Sequence, residues 1–196
     1  MNFARIIVKL SLIFVVFSPL AACMSESERR VREQTPVGNK MPRSAKPMPP
    51  MPSNVDQKNL GWRLLDGRRE TVADYKGKAV ILDFWATYCP PCIEGIPHFN
   101  ELKKRHEAEG LQVIGLNVGG DADRPKIAGF VEQLQISYKL GYPETSLTDF
   151  YFQGDTAIPQ TLVFDRKGQL IEKFVGFDPQ IKTDLDAAVV RALKTD

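Results

Sequence analysis

Val80-Ile81-Leu82-Asp83-Phe84-Trp85-Ala86-Thr87-Tyr88-Cys89-Pro90-Pro91-Cys92 decides the reading of this chain. Its first half is an apolar run of strand length, broken by one aspartate. Its second half is a short loop and a Cys-x-x-Cys that opens a helix. A thiol at a helix N-terminus faces unpaired backbone N–H groups and the positive end of the macrodipole. Both favour thiolate over thiol, so Cys89 is expected to have a lowered pKa and to be the nucleophile. Cys92, one helical turn on, is placed to close an intramolecular disulfide. Such a pair can pass two electrons to or from a partner's disulfide through a mixed-disulfide intermediate.

Two other readings of the cysteines are weaker. Half of a zinc site would need further ligands, but only Cys23, His98 and His106 remain, without ligand spacing. Solvent-facing positions are expected for both histidines, and no metal is expected at the pair. A purely structural bridge across so short a loop would constrain the unfolded chain little. The pair reads as redox-active.

Residues 1–23 read as a lipoprotein-type signal peptide. Arg5 and Lys9 give a positive n-region, and Leu10 to Phe17 an apolar core too short for a membrane span. The segment ends Leu20-Ala21-Ala22-Cys23, which resembles the bacterial lipobox and makes Cys23 the expected lipidation site. Several acyl chains would anchor firmly where one would not. Residues 24–58 carry six prolines, seven basic and four acidic residues, and almost nothing aliphatic. Such a Pro/Met-rich stretch cannot offset its ordering entropy and is expected to be a disordered linker. Stretched as polyproline II it would reach roughly 100 Å from the anchor. Met41, Met48 and Met51 invite a soft-metal reading, since thioethers suit Cu(I), but they come without histidine.

Residues 59–196 are long enough for one core. They carry 17 basic and 20 acidic residues, so the whole-chain charge of +2 comes from the signal and linker. Nothing suggests a nucleic-acid face. Strands are expected over Trp62 to Leu65, Ala79 to Ala86, Leu111 to Val118, Thr161 to Asp165 and Leu170 to Val175, the last two as an antiparallel hairpin. Helices are expected from Pro91 to Glu109, kinked at Pro97, from Asp123 to Leu134, and from Asp178-Pro179 with Ile181, Leu185, Val189 and Leu193 on one face. This alternation gives an α/β class, a mixed central sheet flanked by helices.

Trp85-Ala86-Thr87-Tyr88-Cys89-Pro90-Pro91-Cys92, with Pro97 five residues on and Ala157-Ile158-Pro159-Gln160-Thr161 before a strand, resembles the thioredoxin superfamily. The export signal and an insert around residues 120–155 make the chain similar to its membrane-tethered TlpA/ResA-like branch. The resemblance covers about residues 59–194. It implies that Cys89 attacks and that Cys92 is the more buried resolving thiol. It implies a cis-proline at Pro159, leaving the Ile158 backbone groups to pair with an incoming peptide. Trp85 would shape an apolar rim, and Trp85, Tyr88, Ile158 and Pro159 form the implied substrate contacts.

Asp83, nine residues before Cys92, sits at the offset of thioredoxin's proton-handling aspartate. A buried carboxylate there is costly unless its pKa rises, so Asp83 is assigned general acid/base duty. One departure stands out. The branch commonly has a glutamate three residues after the second cysteine, where this chain has Gly95. Glu94, one residue off, is rotated by roughly 100° on a helix and cannot simply replace it.

The expectation is therefore an extracytoplasmic, periplasmic-side lipoprotein that exchanges thiols and disulfides without a cofactor. Its partners would be disulfide-containing or dithiol proteins and an upstream thiol reductant protein. The resemblance favours reduction of partner disulfides. Oxidant or isomerase activity and a copper-binding module are the alternatives.

Overall fold

The computed structural model describes residues 59–195. The signal, Cys23, and the linker with its methionines lie outside the described residues. The strands are β1 Gly61–Leu64, β2 Arg69–Thr71, β3 Ala79–Trp85, β4 Leu111–Asn117, β5 Lys139–Pro143, β6 Gln160–Phe164 and β7 Leu170–Val175. The helices are α1 Pro90–His106, α2 Ile127–Gln133, α3 Thr145–Phe152 and α4 Pro179–Lys194.

β3 is the centre because every one of its seven residues is apolar or able to be buried neutral, and all seven are buried. A strand covered on both faces needs helices on both sides. It pairs in parallel with β4 and antiparallel with β6, in a sheet ordered β2-β1-β5-β4-β3-β6-β7. Ala79, Ile81 and Trp85 pack under α1, α2 and α4 with Phe99, Ile127, Leu185 and Val189. Val80, Leu82 and Phe84 pack on the opposite face with Trp62, Leu147, Phe150 and Tyr151 under α3. The mixed sheet flanked by helices agrees with the sequence reading.

Three elements were not anticipated: β2, β5 and α3. The region 120–155 is more than an insert, because β5 enters the sheet between β4 and β1. Its sequence, Lys-Leu-Gly-Tyr-Pro, hides this behind a glycine and a proline. Gly141 is required there, since a Cβ would lie 2.5 Å from the Arg63 carbonyl oxygen. The first strand ends at Leu64 rather than Leu65, which is half exposed in the turn. Among the described residues, no helix is long and apolar enough to cross a membrane.

Candidate active site

β3 delivers the chain to the top of the sheet, and the loop 86–89 turns it into α1. Cys89 is the N-cap of α1, in extended conformation, followed by Pro90 and Pro91. Proline costs nothing in the first turn, where a backbone N–H would have no helical partner. Cys89 Sγ accepts the N–H of Cys92 at 3.3 Å. A cysteine thus fills the capping place usually taken by serine or aspartate. The same N–H, with the helix dipole, favours negative charge on that sulfur when reduced.

Cys89 and Cys92 form a disulfide. Cys89 is 5% exposed and Cys92 1%, so an incoming group meets Cys89 first. Cys89 Sγ lies 3.7 Å from the carbonyl oxygen of Ile158, and the Ile158–Pro159 bond is cis. The loop carrying Ile158 is held from two sides. Gln160, fully buried, donates its amide to the carbonyls of Asp155 (2.8 Å) and Ala157 (2.9 Å). The Gly176 N–H donates to the carbonyl of Pro159 at 2.8 Å.

Asp83 is fully buried on β3, opposite Gly115 of β4 and Thr161 of β6. Strand alternation puts it on the face of Ile81 and Trp85, the face that shares a core with Cys92. Burial pushes its carboxyl up to about 8, and the Thr161 hydroxyl, 3.5 Å from Oδ1, pulls only weakly the other way. Its Oδ2 has no hydrogen-bond partner. Gly115 is glycine for lack of room, because a Cβ would lie 2.6 Å from Leu140 and 3.2 Å from Trp85 Nε1.

Two expectations are corrected. Trp85 does not form a rim: at 1% exposure it lies inside the core, tilted against Phe130 with ring centroids 6.4 Å apart. As the last residue of β3 it points with Asp83 toward α1, and Tyr88, 65% exposed, is the aromatic at the surface. His98 is not solvent-facing but 4% exposed, on the side of α1 that meets α4. Its Nε2 lies 3.1 Å from Asp186 Oδ1, but the two atoms form no hydrogen bond. Burial lowers its pKa, against the opposing pull of Asp186. His106 lies at the end of α1, its Nδ1 2.7 Å from Glu109.

Gly95, where the resembling branch carries glutamate, is buried under Phe177. A Cβ there would meet the rings of Phe177 and Phe99, each at 3.3 Å. Glu94, rotated by roughly 100° from it on the helix, is exposed.

The sequence reading missed Asp123. Its Oδ2 accepts from the Thr87 N–H (2.9 Å) and the Asn117 amide (2.7 Å), and its Oδ1 accepts the Thr87 hydroxyl. Burial pushes its carboxyl up, but the Asn117 and Thr87 donors together hold it below its ordinary value. An aspartate in a glycine-rich loop reads as solvated, and only folding reveals its donors. Among the described residues, no three His, Cys, Asp or Glu side chains converge as metal ligands.

The sequence model of the Redoxin family matches residues 36–189. Thiol-disulfide oxidoreductase ResA of Bacillus cereus is 33% identical over 115 residues, covering 57% of this chain and 63% of that protein. The chain thus spans less than two thirds of that relative's length. A solved structure of a thiol:disulfide interchange protein of the thioredoxin family, from Chlorobium tepidum, is 29% identical with a TM-score of 0.58. It covers 68% of this chain and 92% of that one. StoA from Bacillus subtilis, 18% identical with a TM-score of 0.52, covers 65% of this chain and 93% of its own, and shares the fold.

Proposed function

We propose that this chain, which belongs to the Redoxin family, is an extracytoplasmic, lipid-anchored thiol-disulfide oxidoreductase that reduces disulfides of partner proteins. The observation that carries the reading is the Cys89–Cys92 disulfide at the start of α1, with Cys89 Sγ accepting the Cys92 N–H. In the reduced protein the Cys89 thiolate attacks one sulfur of the partner's disulfide. A Cys89–partner disulfide forms and the partner's other sulfur leaves as thiolate. Cys92 then loses its proton to Asp83 and attacks Cys89 Sγ. The second partner thiolate leaves, the partner has gained two electrons, and Cys89–Cys92 is oxidised. Burial pushes the Asp83 carboxyl up to about 8, so the fraction ionised near neutral pH can take that proton and afterwards release it.

The Ile158 carbonyl beside Cys89 supports docking of the partner as an extended strand over Tyr88 and Pro159. Anchoring through Cys23 and the spacer at 24–58 rest on the sequence alone. In an oxidising compartment the pair needs an upstream thiol reductant protein.

Equilibrating the full chain against glutathione and dithiothreitol buffers tests the direction. A reduction potential of about −250 mV or below, near thioredoxin's range, is the expected result. A value of about −120 to −180 mV would make the protein an oxidant or isomerase.

A further inference from the structure

A cleft of about 370 Å³ opens directly beside the disulfide. Two of the residues that line it flank the reacting sulfur: Tyr88, the residue before Cys89, and Ile158, whose carbonyl lies 3.7 Å from Cys89 Sγ. Its further walls come from the region 118–156. Val118 and Phe152 supply apolar surface, two threonines supply hydroxyls, and Asp149 on α3 supplies the one charged side chain. No cation lines it. Asp149 is exposed and forms no ion pair among the described residues. The Lys173 ammonium lies 5.9 Å from the centre of the Phe152 ring and donates to the Tyr151 carbonyl at 2.6 Å.

This lining has a definite chemical complement. A long aliphatic stem can lie on Val118 and Phe152 while a cationic end meets the Asp149 carboxylate, as lysine and arginine side chains do on mixed surfaces. A strand paired against Ile158 advances about 3.3 Å per residue. With its cysteine on Cys89 Sγ, the neighbouring residue, pointing to the other face of the strand, comes within side-chain reach of the cleft. An acidic residue in the same place would face Asp149 without a counter-charge.

We propose that this cleft is a substrate subsite that selects a lysine or arginine next to the target cysteine, with Asp149 as its specificity-determining residue. The inference rests on the thiol-disulfide exchange reading and names the substrate class that reading leaves open.

Single-cysteine peptides of one length, each a mixed disulfide with thionitrobenzoate, separate the possibilities. The residue beside the cysteine is lysine, leucine or glutamate. The reduced full chain is mixed with each, and release of the chromophore gives a second-order rate constant. Each rate is divided by that of the same variant with the mixed disulfide of 2-mercaptoethanol and thionitrobenzoate, which carries no residue for the cleft. The lysine peptide is expected to react about fivefold faster than the leucine peptide, the scale of one partly exposed ion pair, with the glutamate peptide slowest. Asp149→Asn should bring all three within about twofold, and Asp149→Lys should reverse the order. Asp184→Asn, an equal charge change on α4, should keep the wild-type order. A preference for lysine that survives Asp149→Asn, or disappears equally in Asp184→Asn, overturns the subsite and leaves exchange intact. So do equal rates for the three wild-type peptides. Failure to react with every peptide and with the 2-mercaptoethanol mixed disulfide overturns the exchange reading itself.

Discussion

Asp123 holds Thr87 by two bonds, one to its backbone N–H at 2.9 Å and one to its hydroxyl, across 36 positions of sequence. Thr87 is two residues before Cys89, so the loop that leads into the disulfide is tied to the region that follows β4. The Asn117 amide, at the end of β4, completes the set around the same carboxylate. Asp123→Ala would leave these buried donors unpaired. Hydrogen bonds to a charged group are worth about 1.5–3 kcal/mol each, so a loss of roughly 3 kcal/mol is expected in denaturant unfolding. Because the native carboxyl is held below its ordinary value, its contribution is present above that value and fades as pH falls through the native one. Urea melts of wild type and Asp123→Ala at pH 7 and pH 3 should therefore differ most at pH 7.

Asp83 gives the opposite slope. Its carboxyl is pushed up from 3.8 to about 8 by burial, so the native state binds a proton that the unfolded chain has released. Stability then falls as pH rises from about 4 to about 8 and levels off above, where both states are ionised. At about 1.4 kcal/mol per pKa unit, the burden at pH 8 is several kcal/mol. Asp83→Asn should raise the melting temperature at pH 8 more than at pH 4. It should also slow resolution of mixed disulfides by about 10²-fold, the low end for losing a general base. Stabilisation without slowing would leave Asp83 a buried carboxyl and nothing more.

Cys92→Ser removes the resolving sulfur while keeping its N–H on Cys89 Sγ. Reduced variant and a disulfide-containing protein substrate should accumulate a covalent complex, visible on non-reducing gels and abolished by adding Cys89→Ser. A complex that persists in the double variant would remove Cys89 from its assigned role.

Gly95→Glu would restore the residue expected from the TlpA/ResA-like resemblance. The new Cβ would meet the Phe177 and Phe99 rings at 3.3 Å, so these aromatics must give way. Overpacking of this kind costs about 1–3 kcal/mol. Pairing it with Phe177→Ala should recover part of the loss; unchanged melting of Gly95→Glu alone would contradict the packing.

Cys23→Ala tests the anchor. In cells making the full chain, the wild-type protein is expected in the membrane fraction and the variant in the soluble extracytoplasmic fraction. Equal membrane retention of both would point to an uncleaved signal.

The cysteine pair and the strand before it were legible in the sequence because their signals are local, whereas the proline loop was implied by the thioredoxin-superfamily resemblance. An apolar run of strand length and a thiol opening a helix each need only their neighbours in the chain. The C-terminal helix was legible for the same reason, its apolar residues repeating on one face. Asp83 was half legible: a carboxylate in an apolar strand announces a cost, but the displacement to about 8 comes from complete burial between β4 and β6, which the Thr161 hydroxyl only partly opposes. β5 was hidden, since its five residues pair with β1 and β4 and are held by register rather than pattern. Trp85 and His98 were misplaced because a side chain's exposure follows from what packs over it, here α2 and α4. The bonds of Asp123 to Thr87 and the Asp149 cleft exist only after residues far apart in sequence converge. Chemistry carried by bonded neighbours is written along the chain; its charge balance, its support and its choice of partner are set by tertiary packing.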